Sequence, residues 1–196
     1  HSRSLGNEAA ARAIETAQLR PEDLAEGTAK DGVPVPQLVR CLKAQISPEL
    51  HGDIHRGLTS QDVMDTAFVL SLKDILPIFR QGLIALQADL AQLTQAHGAA
   101  SLMGRTRMQA ALPITVADRI ATWRMPLERH LARLDEVCAR VLCVQCGGPV
   151  GLGADGAALA AALGLAEPDK CWHAMRDGFA ELANWLSLVS GSLGKM

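Results

Sequence analysis

Three observations predict an all-α fold for this chain. Its composition is rich in alanine and leucine, with no tyrosine and only 3% aromatic residues. Its long runs hold few helix breakers, Pro77 and Gly82 in one and Pro126 in the other, and apolar positions recur through them at three- and four-residue spacing. At 196 residues and 48% hydrophobic content, the chain is long enough to bury a core. Nineteen Lys+Arg against 21 Asp+Glu leave a formal charge of -2. No positive field exists to hold nucleic acid or an anionic membrane, so neither is expected as a partner. No apolar run reaches the 18 or so residues of a membrane span, and the polar start His1-Ser2-Arg3-Ser4 has no signal-peptide core. A cytoplasmic protein with reduced thiols is expected, since five cysteines do not form an even disulfide framework.

Residues 1–58 read as a small helical domain. One helix runs from Glu8 to Leu19, Pro21-Glu22-Asp23 opens a second, and a third ends near Cys41 after Gly32 and Pro34. Residues 59–196 read as a central domain of long helices. The first spans Ser60 to His97, capped by Thr59 or Ser60, with Asp62 in the first turn where the helix dipole favours a carboxylate. Val63, Ala67, Leu70 and Ile78 mark its apolar face, and Gly98 stops it. A second helix is predicted from Pro113 to Gln145, with Ile120, Trp123, Leu127, Leu131, Leu134, Cys138 and Val141 as a bundle seam. The stripe Trp172, Met175, Phe179, Leu182, Trp185 and Val189 predicts a third, ended by Gly191. About 37 helical residues at 1.5 Å each span roughly 55 Å, more than the roughly 40 Å diameter of a compact domain of this size. Packing against further copies is therefore expected.

Several motifs have weak chemical readings. Gly151-Leu152-Gly153-Ala154-Asp155-Gly156 fits a dinucleotide pattern, but a helix precedes it where a strand is required. Cys143-Val144-Gln145-Cys146 has ligand-like spacing without a second pair. Ser190-Gly191-Ser192-Leu193-Gly194 lacks the strand of a hydrolase elbow. His97, His130 and His173 stand alone. No metal or organic cofactor is expected.

Three polar, glycine-containing segments at helix ends have complementary chemistry. The first is His55-Arg56-Gly57-Leu58-Thr59-Ser60-Gln61-Asp62, where hydroxyls and amides at a helix start suit a carboxylate. The second is Gly104-Arg105-Thr106-Arg107-Met108-Gln109, which offers guanidinium and amide donors. The third is Ser190-Gly191-Ser192-Leu193-Gly194-Lys195, a serine-bearing turn beside a lysine. Any one of them is ordinary capping or turn chemistry. Together they form a donor set for a multiply anionic small molecule.

These segments resemble the signatures of the fumarase/aspartase superfamily. His55 to Ala67 is similar to the first, and Gly104 to Gln109 with Ala111, Pro113 and Thr115 to the second. Gly191-Ser192 is similar to the start of the third, a mobile catalytic loop. Within the superfamily, the Thr-Ser-Gln-Asp-Val, Gly-Arg-Thr-Arg-Met-Gln-Ala and Ser-Leu-Gly-Lys strings resemble the carboxymuconate cycloisomerase branch. The resemblance implies a long-helix bundle in a homotetramer with shared active sites. It also implies that the C-terminal part, including the return helices and a last domain, is missing from this chain. It gives Thr59 and Ser60 to a substrate carboxylate, His55 to orienting the pocket, and Arg105, Arg107, Gln109 and Lys195 to substrate oxygens. Ser192 would transfer a proton at carbon.

Superfamily members that expel an amine usually carry His where this sequence has Arg107. A lactone-forming enzyme needs no acid for a carboxylate leaving group, and a fixed cation suits a tricarboxylate. The implied reaction is therefore lactonisation of 3-carboxy-cis,cis-muconate in aromatic-acid breakdown. The alternatives are an adenylosuccinate lyase-like enzyme releasing fumarate and a non-catalytic helical scaffold. Leu193 stands where the wider superfamily has the second Ser of its loop.

Overall fold

A computed structural model describes residues 1–153 and 156–196. The helices are α1 (Glu8–Thr16), α2 (Ala25–Asp31), α3 (Val35–Gln45), α4 (Ser60–His97), α5 (Val116–Val141), α6 (Ala157–Leu163) and α7 (Asp177–Leu193). Between α4 and α5 lies an antiparallel hairpin of β1 (Ser101–Thr106) and β2 (Gln109–Thr115). The fold is helical, as composition and periodicity predict, with this one small sheet added. Ala154 and Asp155 of the Gly151–Gly156 motif lie outside the described residues. Among the described residues no helix is long and apolar enough to cross a membrane.

Two compact units divide the chain. One comprises His1–Ser71 and Leu142–Arg176, the other Leu72–Val141 and Asp177–Met196. The start of α4 belongs with the first helices because its polar residues bond to the segment after α5. Thr66 Oγ1 donates to the Gln145 carbonyl and accepts from the Gln145 N–H, both at 3.0 Å.

In the first unit, Asn7 caps α1 by accepting from the Ala10 N–H at 2.9 Å. Leu42, Ile46 and Ile54 form a core onto which Ile14, Leu38 and Val39 pack. Val144, Leu159 and Ala160 form a second cluster around α6. The expected continuation of α5 to Gln145 fails at Val141. The chain beyond pairs extended, the Val144 N–H donating to the Ala166 carbonyl and the Ala166 N–H to the Leu142 carbonyl, each at 2.9 Å.

In the second unit four of the seven predicted seam residues of α5 are buried, while Trp123, Leu131 and Cys138 are half-buried. Ile120, Leu127, Leu134 and Val141 are buried at heptad spacing, joined by His130 and Val137. They face α7, whose Leu182 and Trp185 are buried. Each such apolar side chain contributes on the order of 1.5–3 kcal/mol of burial. The Trp185 indole N–H donates to the His130 carbonyl at 2.8 Å, and the Phe79 ring meets the Trp185 ring edge-on at 6.3 Å between centroids.

Three helix boundaries correct the sequence reading. α5 starts at Val116 because Thr115 and Asp118 form a reciprocal cap. The Thr115 N–H donates to Asp118 Oδ2 at 2.8 Å, and the Asp118 N–H to Thr115 Oγ1 at 3.1 Å. α7 starts at Asp177, not Trp172. Trp172 is held against the 144–145 segment, its indole N–H on the Val144 carbonyl at 3.0 Å and its backbone N–H on Gln145 Oε1 at 2.9 Å. α7 also continues through Gly191 to Leu193, and the Gly194 N–H still bonds the Ser190 carbonyl at 2.9 Å. The apolar face of α4 needs a similar correction. Its buried positions are Val69, Leu72, Leu76, Leu83 and Leu90, whereas Ile78 of the expected face is 66% exposed. Apolar residues occupy two faces of α4, and this chain covers one.

Candidate functional site

The first candidate segment is built around Asp62. Its side chain is 1% exposed, and its carboxylate accepts four hydrogen bonds among the described residues. The Thr59 N–H donates to Oδ2 at 2.9 Å, the Gly148 N–H to Oδ2 at 2.9 Å, the Gly147 N–H to Oδ1 at 3.1 Å, and His173 Nε2 to Oδ1 at 2.8 Å. Both glycines are required for this approach. A Cβ on Gly147 would lie 2.6 Å from Cys171 Sγ, and one on Gly148, at φ 66°, would lie 2.7 Å from the Gly57 carbonyl oxygen. One turn on, Asp65 receives both arms of Arg176 at 2.6 and 3.1 Å, Gln61 at 2.8 Å and Gln145 Nε2 at 3.3 Å. Burial works to raise the Asp65 carboxyl, but these donors, Arg176 first, hold it below the ordinary carboxylate value.

Asp62 thus completes half of a capping box on Thr59, leaving the Thr59 and Ser60 hydroxyls without a hydrogen-bond partner among the described residues. Both residues are half-buried. His55 precedes them with a left-handed backbone at φ 62°. Its imidazole lines a cavity of about 280 Å³ whose other walls include Ile14, Leu38, Leu42, Leu58 and Val63. Burial lowers the His55 pKa, opposed by the charge of Asp62 and helped by that of Lys43.

The second segment is not the simple helix-end turn that the sequence suggests. Gly104–Thr106 lies in β1 and Gln109 opens β2, with Thr106 opposite Gln109. Arg107 and Met108 form the two-residue turn with φ of 46° and 65°. That sign pattern belongs to type I′ hairpins, which ordinarily use Asn-Gly. The Arg105 guanidinium donates to the Met108 carbonyl at 3.3 Å across the turn. Arg107 and Gln109 are exposed.

The third segment departs most from expectation. Gly191 and Ser192 belong to α7, not to a loop. Ser192 Oγ lies 2.8 Å from Nε2 of His130, a buried residue of α5. Lys195 follows the helix and donates to the Thr122 carbonyl at 3.3 Å. His55, Thr59 and Ser60 therefore stand together in one unit. Arg105, Arg107, Gln109, Ser192 and Lys195 belong to the other.

Sequence reasoning missed His130 and His173, both read as isolated. Each bonds to a residue more than 60 positions away along the chain, a relationship without local pattern. His173, Asp62 and Cys171 also bring potential metal-ligand atoms within 4.8 Å of one another. Their directions do not converge, because His173 turns Nε2 to Asp62 and Nδ1 to Cys171 Sγ at 3.3 Å. The group is a hydrogen-bond chain across an imidazole, not a cage.

Long helices with donor-rich segments at the start of α4, in the β1–β2 turn and at the end of α7 define the class of protein. The lyase family model matches residues 12–196, and the chain belongs to this family of the fumarase/aspartase superfamily. The 3-carboxy-cis,cis-muconate cycloisomerase of Pseudomonas aeruginosa is 41% identical over 186 residues, covering 89% of this chain and 40% of that protein. The crystal structure of 3-carboxy-cis,cis-muconate lactonizing enzyme from Pseudomonas putida matches with TM-score 0.91 at 36% identity, covering 99% of this chain and 49% of the other. That of a fumarate lyase from Mesorhizobium sp. BNC1 matches with TM-score 0.90 at 38% identity, covering 99% and 50%. The chain spans half or less of the length of these relatives.

Proposed function

We propose that the full-length protein is a cycloisomerase that adds a carboxylate of 3-carboxy-cis,cis-muconate across a double bond of the same molecule, giving 4-carboxymuconolactone. The observation that carries this reading is the pair of unpartnered, half-buried hydroxyls of Thr59 and Ser60 at the start of α4. In the addition a C–O bond forms and the π electrons move toward a carbon beside a carboxylate. Negative charge grows on that carboxylate as an enediolate until the carbon takes a proton. Donors aimed at those oxygens lower the barrier. Thr59 and Ser60 hold one carboxylate, Arg107 pairs with another, and Arg105, Gln109 and Lys195 supply further donors. His55 orients the pocket. The proton transfer at carbon that the resemblance gives to Ser192 is not carried into this reading, because its hydroxyl is tied to His130 within a helix.

The sites are proposed to form between copies in a homotetramer in the cytoplasm. The 38-residue α4 is about 57 Å long at 1.5 Å per residue. Phe68, Ile78 and Ile84 on that helix are each at least 50% exposed, which supports a covered face in the assembly.

Full-length protein should consume the conjugated absorbance of 3-carboxy-cis,cis-muconate, and Arg107→Ala should lose most of that turnover. A second reading, elimination with release of fumarate, is favoured by the 38% identity to the Mesorhizobium fumarate lyase. Fumarate released from a succinyl-amine, with carboxymuconate untouched, would establish it instead. Inactivity on both substrates in an intact tetramer would leave a scaffold of the same fold.

A further inference from the structure

A substrate carboxylate at the start of α4 meets a difficulty: the first turn already holds the buried carboxylate of Asp62. Two anions at one helix terminus repel unless the resident charge is matched by its own donors. Four donors reach Asp62. Three are the backbone N–H groups of Thr59, Gly147 and Gly148, and the fourth is the His173 ring. His173 is the single side chain among them.

Its orientation is fixed from behind. His173 Nδ1 lies 3.3 Å from Cys171 Sγ, and Cys171 Sγ lies 3.2 Å from Gln145 Oε1. Burial pushes the Cys171 thiol pKa up, so the sulfur keeps its one proton and donates it to Gln145 Oε1, while the contact of the sulfur with Nδ1 fixes the plane of the ring whose Nε2 meets Asp62. Gln145 closes the circuit. Its Oε1 accepts the Trp172 N–H at 2.9 Å, and its Nε2 donates to Asp65 Oδ2 at 3.3 Å, one turn beyond Asp62 on α4. The chain Asp62–His173–Cys171–Gln145–Asp65 starts and ends on the same helix.

We propose that His173 is a positioning residue that acts through Asp62 to fix the first turn of α4 and occupy the resident charge, so that Thr59 and Ser60 can receive a substrate carboxylate. Cys171 holds the ring in the orientation that this requires. The inference rests on the carboxylate-binding role proposed above for Thr59 and Ser60.

The test uses full-length protein with His173→Phe, His173→Gln and Cys171→Ala. It reads steady-state kinetics on 3-carboxy-cis,cis-muconate and amide hydrogen exchange at residues 59–63, both well below the thermal midpoint. Loss of a hydrogen bond to a buried charge should raise KM about tenfold in His173→Phe with a much smaller change in kcat. Exchange at the first turn should quicken in parallel. His173→Gln keeps an N–H within reach of Asp62 and should recover most of the KM and the protection. Cys171→Ala should lie between, and it decides with His173→Gln if the Phe variant does not fold. Unchanged KM in His173→Phe, or no rescue by Gln, overturns the proposal. If wild-type protein turns over no carboxymuconate, the cycloisomerase reading fails separately. Exchange then judges the anchor alone, and unaltered protection of residues 59–63 in His173→Phe overturns it.

Discussion

Ser192 Oγ and His130 Nε2 lie 2.8 Å apart, joining α7 to the buried side of α5. Among the described residues His130 Nδ1 has no hydrogen-bond partner, so this contact is the ring's one polar tie there. Removing the hydroxyl would leave both ring nitrogens of a buried imidazole unsatisfied. Ser192→Ala should therefore cost about 1–3 kcal/mol in urea unfolding. A hydroxyl fixed in a helix is poorly placed for proton transfer at carbon, so turnover of the variant should stay within a few fold of wild type. A loss of several orders of magnitude in kcat with unchanged stability would restore the catalytic role that the sequence suggests.

The same imidazole predicts a pH dependence. Burial lowers the His130 pKa from its ordinary 6.5, helped by the charges of Arg133 and Arg129. In the window between 6.5 and the lowered value, the unfolded chain binds a proton that the folded chain refuses. Stability therefore falls as pH drops through that window and levels off below it. His55 is lowered in the same direction, chiefly by burial, and adds to the slope. Unfolding midpoints measured from pH 7.5 to 5 should decline in wild type and decline less in His130→Phe. An identical slope in that variant would refute the assignment.

Much of the helical frame was legible because its signals are local. The bounds of α4 follow from Thr59-Ser60 at one end and Gly98 at the other, and the buried seam of α5 follows from heptad-spaced apolar residues. The hairpin was hidden for a physical reason. Both strands are largely exposed, so no inside-outside alternation marks them, and the turn uses Arg107-Met108 in place of Asn-Gly. Gly191 misled in the opposite sense. A glycine costs a helix about 1 kcal/mol, which the Ser192–His130 contact and the packing of α7 on α5 can outweigh. In the candidate site, Thr59, Ser60 and Arg107 were readable as residue types. The bond from Asp62 to His173 crosses 111 positions and leaves no trace in spacing.

The turn offers a way to separate strain from recognition. An L-residue in the left-handed region costs roughly 1–2 kcal/mol, and glycine recovers this minus about 0.5–1 kcal/mol of added unfolded-state entropy. Met108→Gly should thus raise stability by up to about 1.5 kcal/mol while keeping Arg107 and carboxymuconate turnover. Arg107→Gly should be similarly stable and lose the activity proposed for the protein. Equal loss of turnover in both variants would show that the backbone conformation, and not the Arg107 charge, matters.

Asp65 and Arg176 supply the sharpest stability prediction. The carboxylate is 4% exposed, and the guanidinium grips it with two bonds while lying 5.2 Å over the Trp172 ring. Arg176→Ala would strand a buried charge with only Gln61 and Gln145 as side-chain donors among the described residues. Breaking such a pair costs about 3–5 kcal/mol when both partners are buried, and the 40% exposure of the Arg176 side chain places the expected loss near the lower end, about 3 kcal/mol. Arg176→Lys keeps the charge but not the planar two-armed grip, and should lose about half as much. Asp65→Asn in the Arg176→Ala background removes the stranded charge, so the double variant should be more stable than Arg176→Ala alone. Additive losses in that cycle would mean the two residues contribute independently, contrary to the geometry that joins them.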